Sequence, residues 1–316
     1  MTAPSTVSLR ESVSVSAPAH VVRDLILDAE GWVQLHRRHA HAEVLEHGED
    51  EALIQHWVVV DDHSVRTWRS RRRIQDEHRV VFEHEPAVAP FAEVRGAWTL
   101  TPTGAGGTEV RLDHDFTLLD DDPGAAASLG AAVGKATREN LATLKHAAEA
   151  RDALADLIIS FEDPLFVAGE IEDVYQYLYE ADKWPDRIPH VTRLVLEERT
   201  PGVQFFDMDT VSADGSRHTT RSVRICLPHR KIVYKQTRPP ATMTAHTGHW
   251  LFTPTPEGVI ASARHTATIR PEGLHLLGEG MTMRGARRYL RKVLSANSMG
   301  NLRLAKEYAE GRASRG

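Results

Sequence analysis

Four residues on two alternating stretches have types and spacing suited to chemistry: Trp68, Ser70, Arg72 and His114. Read with period two, Trp68, Ser70, Arg72 and Ile74 point to one side, and Thr67, Arg69, Arg71 and Arg73 to the other. An exposed face holds three arginines without difficulty. The opposite face joins an aromatic, a hydroxyl, an arginine and an isoleucine, an odd composition for a dry core. A buried arginine needs an anion, a carboxylate or a water-filled cavity. The strand therefore predicts either a pocket holding Arg72 or a strand-end arginine paired with a carboxylate. In a low-dielectric pocket a guanidinium polarises carbonyl oxygens and holds an oxyanion. On a later run Val110, Leu112, His114, Phe116 and Leu118 share one face, with Glu109, Arg111, Asp113 and Asp115 opposite. His114 thus stands alone among apolar neighbours, as a proton-transfer group or as a satisfied core histidine.

Such residues need elements to hold them, and the chain builds those elements twice. Ala29-Glu30-Gly31-Trp32 matches Ala181-Asp182-Lys183-Trp184, and Gly96-Ala97-Trp98-Thr99-Leu100-Thr101-Pro102-Thr103 matches Gly248-His249-Trp250-Leu251-Phe252-Thr253-Pro254-Thr255, at one common offset that Val15 and Val167 also share. After one deletion, His114-Asp115-Phe116-Thr117 matches His265-Thr266-Ala267-Thr268. Asn140-Leu141 then matches Asn301-Leu302, with an insertion in the second half. A repeat of this length is a duplicated domain rather than a solenoid. We expect domains at 1–150 and 151–316.

Each copy has the same order of elements. A strand from Val7 to Val15 leads to Ala17-Pro18, where proline suits the first turn of a helix reaching about Asp28. A short helix carrying Trp32 follows, then alternating runs separated by turn signals such as Gly48-Glu49-Asp50 and Gly104-Ala105-Gly106-Gly107. After Asp120-Asp121-Asp122-Pro123-Gly124 the spacing turns helical, with Leu129, Val133, Leu141, Leu144 and Ala148. This order predicts an α+β chain of two tandem helix-grip domains. In each, a curved antiparallel sheet wraps a long C-terminal helix around an internal cavity. The second copy's last helix is basic, with Arg284, Arg287, Arg288, Arg291 and Lys292. Such a stripe is a solvated face, or a surface for an acidic partner.

Bulk composition excludes several classes. The chain has 316 residues, 41% hydrophobic and 26% charged, with a net charge of −6. That balance argues against nucleic-acid binding through a broad basic field. No apolar run approaches the ~18 residues of a bilayer span, so no membrane association is expected. Met1-Thr2-Ala3-Pro4 lacks the basic and apolar regions of a signal peptide, which points to the cytoplasm. Cys226, the single cysteine, rules out an internal disulfide and any multi-thiolate metal site. The group His36, His39 and His41 lies at a helix exit and is expected to be a solvated loop rather than a metal site.

Trp184-Pro185-Asp186-Arg187-Ile188-Pro189-His190-Val191 resembles the second-helix signature of the START/Bet v 1-like polyketide cyclase superfamily. Trp32 followed by Ala42-Glu43-Val44-Leu45-Glu46 resembles the aromatase/cyclases of bacterial type II polyketide synthases, whose pocket strand reads Trp-x-Ser-x-Arg. Trp68, Ser70 and Arg72 match that pattern, and two such domains in one chain resemble the di-domain aromatase/cyclases. The second copy keeps Ser222 and Arg224 but has Thr220 for the tryptophan. His39 stands where the family often places a tyrosine. By this resemblance, Arg72, His114 and Ser70 are catalytic candidates. Trp68, Trp98, His39 and Asn140 are substrate contacts, and Arg224, Ser222, His265, Trp250 and Asn301 form a second pocket. Simpler roles stand beside these: sheet floor for Trp98 and Trp250, and helix-local hydrogen bonds for Asn140 and Asn301.

The resemblance implies closure and aromatisation of the first ring, C7–C12, of a carrier-bound poly-β-ketone. Partners would be an acyl carrier protein and other polyketide synthase components. Aldol closure needs near-attack geometry, a base for a methylene between two ketones, and stabilisation of the developing enolate. Dehydration needs an acid, and no metal or redox cofactor is required. The competing functions are a non-catalytic carrier or chaperone for an apolar ligand and a second copy that merely supports the first. An inward arginine and histidine favour the enzyme, since a pure binder needs neither.

Overall fold

The computed structural model describes residues 6–104, 106–120, 122–211, 215 and 217–314. The chain divides into two compact units, one of Met1–Val58 and Arg66–Ala153, the other of Val59–Val65 and Leu154–Gly316.

The first unit begins with β1 (Thr6–Val15), α1 (Ala19–Leu27) and α2 (Trp32–Leu35). Six strands follow: β2 (His39–His47), β3 (Glu51–Val59), β4 (Val65–Asp76), β5 (Arg79–His84), β6 (Phe91–Pro102) and β7 (Thr108–Leu118). The long helix α3 (Pro123–Glu149) and the short α4 (Arg151–Leu157) come last. One antiparallel sheet has the order β1-β7-β6-β5-β4-β3-β2. The meander is thus closed by the first strand pairing the last, which spares β7 an open edge. Asp122 caps α3 by accepting from the amides of Gly124 and Ala125, and Pro123 occupies the first turn, where its missing N–H costs nothing.

The second unit repeats this plan with β8 (Ile158–Val167), α5 (Ile171–Tyr179), α6 (Trp184–Arg187), β9 (Val191–Thr200), β10 (Val203–Val211), β11 (Arg217–Leu227), β12 (Lys231–Arg238), β13 (Met243–Thr255), β14 (Gly258–Ile269) and α7 (Met283–Ala313). Its sheet order, β8-β14-β13-β12-β11-β10-β9, matches the first. The insertion in the second copy is a 3-10 turn over Pro271–Leu277 ahead of α7.

Alternation places the core on one face of each sheet, beneath its helices. Val80, Trp98, Leu100, Val110 and Leu112 pack with Val22, Ile26, Trp32, Leu141 and Leu144. Ile232, Trp250, Phe252, Ala261 and Ala263 pack with Val174, Leu178, Trp184, Leu302 and Ala305. Each unit is therefore a sheet gripping a long helix, as the sequence predicts.

Two glycines at matching positions set the depth of these inner faces. A Cβ on Gly96 would collide with the Asp113 carbonyl oxygen and the Phe82 ring. A Cβ on Gly248 would collide with the Arg264 carbonyl oxygen and the Tyr234 phenol. In both units the missing side chain lets an aromatic ring lie across the neighbouring strand. Gly96→Ala and Gly248→Ala are each expected to destabilise folding by about 1–3 kcal/mol, the usual cost of overpacking. Urea unfolding midpoints measure this, and a wild-type midpoint for either variant would contradict it.

Candidate functional site

The inner face of the first sheet carries one row of side chains across four strands. Arg72 on β4 pairs with Phe82 on β5, Phe82 with Gly96 on β6, and Gly96 with His114 on β7. One step along, Ser70 pairs with His84. The predicted Ser70, Arg72 and His114 thus share one concave surface because the sheet register aligns them.

Arg72 is half-buried and has no carboxylate within ion-pair distance among the described residues. Its Nη1 donates to the Ile26 carbonyl at 2.5 Å, and the guanidinium lies 5.7 Å from the centre of the Trp32 ring. The partner is therefore the C-terminal end of α1, where unpaired carbonyls carry partial negative charge. The expectation of a carboxylate-paired strand-end arginine is not what the structure shows. Burial pulls Arg72 down to about 10, so it stays a cation at neutral pH. On the opposite face the ion pairs are complete. Arg71 meets Glu85 at 2.5 Å and Glu46 at 3.2 Å, while Arg73 meets Glu83 at 2.9 Å. A surface depression of about 560 Å3 lies on that outer face, lined by Arg10, Arg71, Arg73 and Asp113 among others. Its arginines are already paired with carboxylates or amides, unlike Arg72 on the inner face.

Histidines held neutral by burial share the inner face with Arg72. Buried His56 places Nε2 2.8 Å from Ser70 Oγ. Burial, then the Arg72 charge, holds it well below an ordinary imidazole. His84 is pulled down to about 4, by burial and then by His114. His114 falls to about 4 through burial, against the opposing pull of Asp115 and Asp113. Thr137 of α3 lies 3.3 Å from His114 Nδ1, and the His114 ring meets the Phe82 ring edge-on at 5.1 Å. Trp68 is sandwiched by His56 at 5.1 Å and His84 at 5.6 Å. Both faces of its indole are covered, and the residue stays half-buried. His39 sits between Trp32 and His56, at 6.0 and 6.1 Å. Trp98 is buried edge-on to Trp32 at 5.9 Å, as sheet floor. Asn140 is half-buried on α3.

His36 and His41 are a correction to the solvated loop expected there. Both are buried, His36 stacked on Trp32 at 4.3 Å and His41 on Trp57 at 5.0 Å. Aromatic faces, not water, cover these imidazoles. Among the described residues no three His, Cys, Asp or Glu side chains converge as a metal site.

The second unit repeats the row as Arg224, Tyr234, Gly248 and His265. Arg224 Nη2 donates to the Leu178 carbonyl at 2.9 Å, at the end of α5, as Arg72 does at the end of α1. Its guanidinium lies 5.2 Å from the Trp184 ring and 5.9 Å from Trp250, with no exposure at all. Ser222 is buried, and Thr220 takes the place of Trp68. His265 is pulled down to about 4, by burial first and against Asp163. Asn301 is buried on α7. The basic stripe of α7 is only partly solvated. Arg287 donates to the carbonyls of Asp156 and Ile158, and Arg291 grips Asp163. Arg284, Arg288 and Lys292 stay exposed. No helix among the described residues is long and apolar enough to cross a membrane.

His56, His84, Phe82, Tyr234 and His246 were not singled out from sequence. The inward parity of His56 after Ile54 was the available signal for the first. The difference between Phe82 and Tyr234 at the common offset was the signal for the second unit.

The depressed histidines make stability depend on pH. They bind fewer protons folded than unfolded, so stability rises with pH. The contribution is complete above about 6.5, the value of a free imidazole, and is lost as pH falls toward about 4. Thermal midpoints are expected to drop steadily across that window. A flat midpoint from pH 7 to 4.5 would contradict the neutral, buried assignment.

Comparison with known proteins places this geometry. A family model described as polyketide cyclase / dehydrase and lipid transport matches residues 6–149. The chain is similar to the granaticin polyketide synthase bifunctional cyclase/dehydratase of Streptomyces violaceoruber, 36% identical over 95% of this chain and 93% of that protein. It is likewise similar to the actinorhodin polyketide synthase bifunctional cyclase/dehydratase of Streptomyces coelicolor, 38% identical over 96% of this chain and 98% of that one. Among solved structures, the di-domain ARO/CYC StfQ from the steffimycin biosynthetic pathway is 52% identical, with a TM-score of 0.86 over 97% of this chain and 99% of that chain. At this identity and coverage the chain belongs to the polyketide synthase bifunctional cyclase/dehydratases.

Proposed function

We propose that this enzyme closes and aromatises the first ring, C7–C12, of a poly-β-ketone carried by an acyl carrier protein, working in the cytoplasm with other polyketide synthase components. The observation that carries the reading is Arg72, an inward cation bonded to a backbone carbonyl and left without a carboxylate. Such a cation keeps its charge available for a developing oxyanion.

In this mechanism the chain folds along the inner face of the first unit, and Arg72 polarises the ketone under attack. A neutral imidazole removes a proton from a methylene between two ketones, a modest demand because that carbon is already acidic. His114 is the base we favour, with Thr137 at its Nδ1. Ser70, bonded to His56, and His84 provide the polar wall beside Arg72. His39, the edge of Trp68 and Asn140 shape the cavity. The alkoxide takes a proton to become a hydroxyl, which leaves as water when the ring aromatises. The exposed Arg284, Arg288 and Lys292 offer positive charge to an acidic carrier protein. Two domains, 1–150 and 151–316, are the units of this design.

Arg72→Ala is expected to lower the regiospecific aromatic product by about 10²–10³-fold, the size of a lost oxyanion donor, while leaving the fold intact. Product analysis after reconstitution with a minimal polyketide synthase measures this, with circular dichroism to verify folding. Wild-type product at the wild-type rate would remove Arg72 from the chemistry. In the same assay Arg224→Ala separates the units, since unchanged product would leave Arg224 a structural role.

A further inference from the structure

The inner face of the second unit holds a hydrogen-bonded chain that the first unit lacks. Tyr234 stands at the position of Phe82, His246 at that of Val94 and Gln236 at that of His84. Tyr234 Oη lies 2.7 Å from His265 Nδ1 and 3.2 Å from His246 Nε2. The two imidazoles approach at 3.1 Å, and His246 Nδ1 is 3.0 Å from Gln236 Oε1.

The proton positions follow from the acceptors. Gln236 Oε1 can only accept, so His246 carries its proton on Nδ1 and its Nε2 is a bare lone pair. The tyrosine has one proton, and His246 Nε2 is the acceptor that needs it. With the tyrosine proton on His246 Nε2, His265 Nδ1 donates to the phenol oxygen, and the Nδ1–H tautomer leaves His265 Nε2 bare. That nitrogen is buried and has no hydrogen-bond partner among the described residues. Nor do Arg224 Nε and Nη1, Trp250 Nε1 or Asn301 Oδ1, all buried. The Arg224 guanidinium lies 5.9 Å from the Trp250 ring, and that ring 5.4 Å from Tyr234. Unpartnered polar atoms are rare in native interiors because each costs about 1–3 kcal/mol. A bare, buried acceptor at the end of this hydrogen-bonded chain fits a ligand that gives up a proton to the imidazole.

We propose that the second unit is a second acid–base centre, in which His265 Nε2, held by Tyr234, His246 and Gln236, takes a proton from a carbon next to a carbonyl in a β-hydroxyketone segment of the substrate. The inference rests on the cyclase reading and assigns the second unit the dehydration. The C–H bond breaks as the N–H bond on Nε2 forms, and the electron pair passes to the carbonyl oxygen as an enolate. The enolate reforms its carbonyl, the C–O bond at the β carbon breaks, and the Nε2 proton leaves with the departing hydroxide as water. While His265 holds both protons, the positive charge can pass along the chain. Its Nδ1 proton moves to Tyr234 as the tyrosine proton moves to His246, whose Nδ1–H stays on Gln236. His265 and the residues behind it are neutral at the start, because burial depresses both imidazoles. Tyr234, His246 and Gln236 are positioning residues; His265 is the group that meets substrate.

The first unit supplies the test variant. Tyr234→Phe with His246→Val installs the pair found at Phe82 and Val94, so this fold already tolerates those side chains at those places. The double variant is expected to unfold as the wild type does, to keep its KM within about twofold, and to lose about tenfold or more in kcat, with undehydrated product accumulating. His265→Gln is expected to lose about a hundredfold. Nitrogen-15 spectra of histidine-labelled protein read the tautomers independently of any polyketide, and should place the His265 proton on Nδ1, moving in Tyr234→Phe. An Nε2–H tautomer at His265, or wild-type kcat in the double variant, overturns the proposal. Absence of any cyclised product from the wild type would instead overturn the cyclase reading.

Discussion

The inner face of each unit depends on one interaction, an arginine side chain bonded to the last-turn carbonyl of the first helix. Arg72 does this at Ile26 and Arg224 at Leu178. The bond draws on the negative end of the helix dipole, which stabilises a nearby cation without neutralising it. A carboxylate would have paired the arginine more strongly and consumed the charge that a reacting oxygen needs. The rings beneath, Trp32 and Trp184, add a cation–π contact and exclude water. The result is a fixed positive point in an apolar setting, reached without an ion pair.

Around that point the two units diverge in a way that the shared fold does not require. Arg72 is half-buried beside His56, on a face that also carries His84 and His114. Arg224 is sealed by aromatics, and its row ends in a tyrosine–histidine chain instead. Both rows pass over a glycine, so a ring at Phe82 or Tyr234 can reach the histidine beyond. A phenylalanine there only packs, whereas a tyrosine fixes a tautomer. Duplication thus kept the cation and varied the hydrogen-bonding groups around it.

Much of this was legible from alternation. The parity of Trp68, Ser70 and Arg72, and of His114 among its apolar neighbours, placed them on the inner face, and the duplication tied Arg224 by the common offset, and His265 after one deletion, to the matching positions. Their partners were not legible. Ile26 and Leu178 act through backbone carbonyls, which leave no mark on side-chain pattern. The pairing of Ser70 with His56 and of Tyr234 with His265 depends on how neighbouring strands meet, and alternation within one strand does not set that. His41 looked solvent-facing because Trp57, which covers it, is a neighbour across strands, while His36 stacks on Trp32 one helical turn before it.

The central claim is that a charge-retaining arginine on the first inner face directs one specific ring closure. It is tested most directly by reconstituting the wild-type protein with a minimal polyketide synthase fed doubly carbon-13-labelled acetate, with and without a ketoreductase, and mapping carbon–carbon couplings in the product. The account predicts an aromatic first ring with a new C7–C12 bond that appears only when this protein is present. The same mixture of products with and without it would contradict the account.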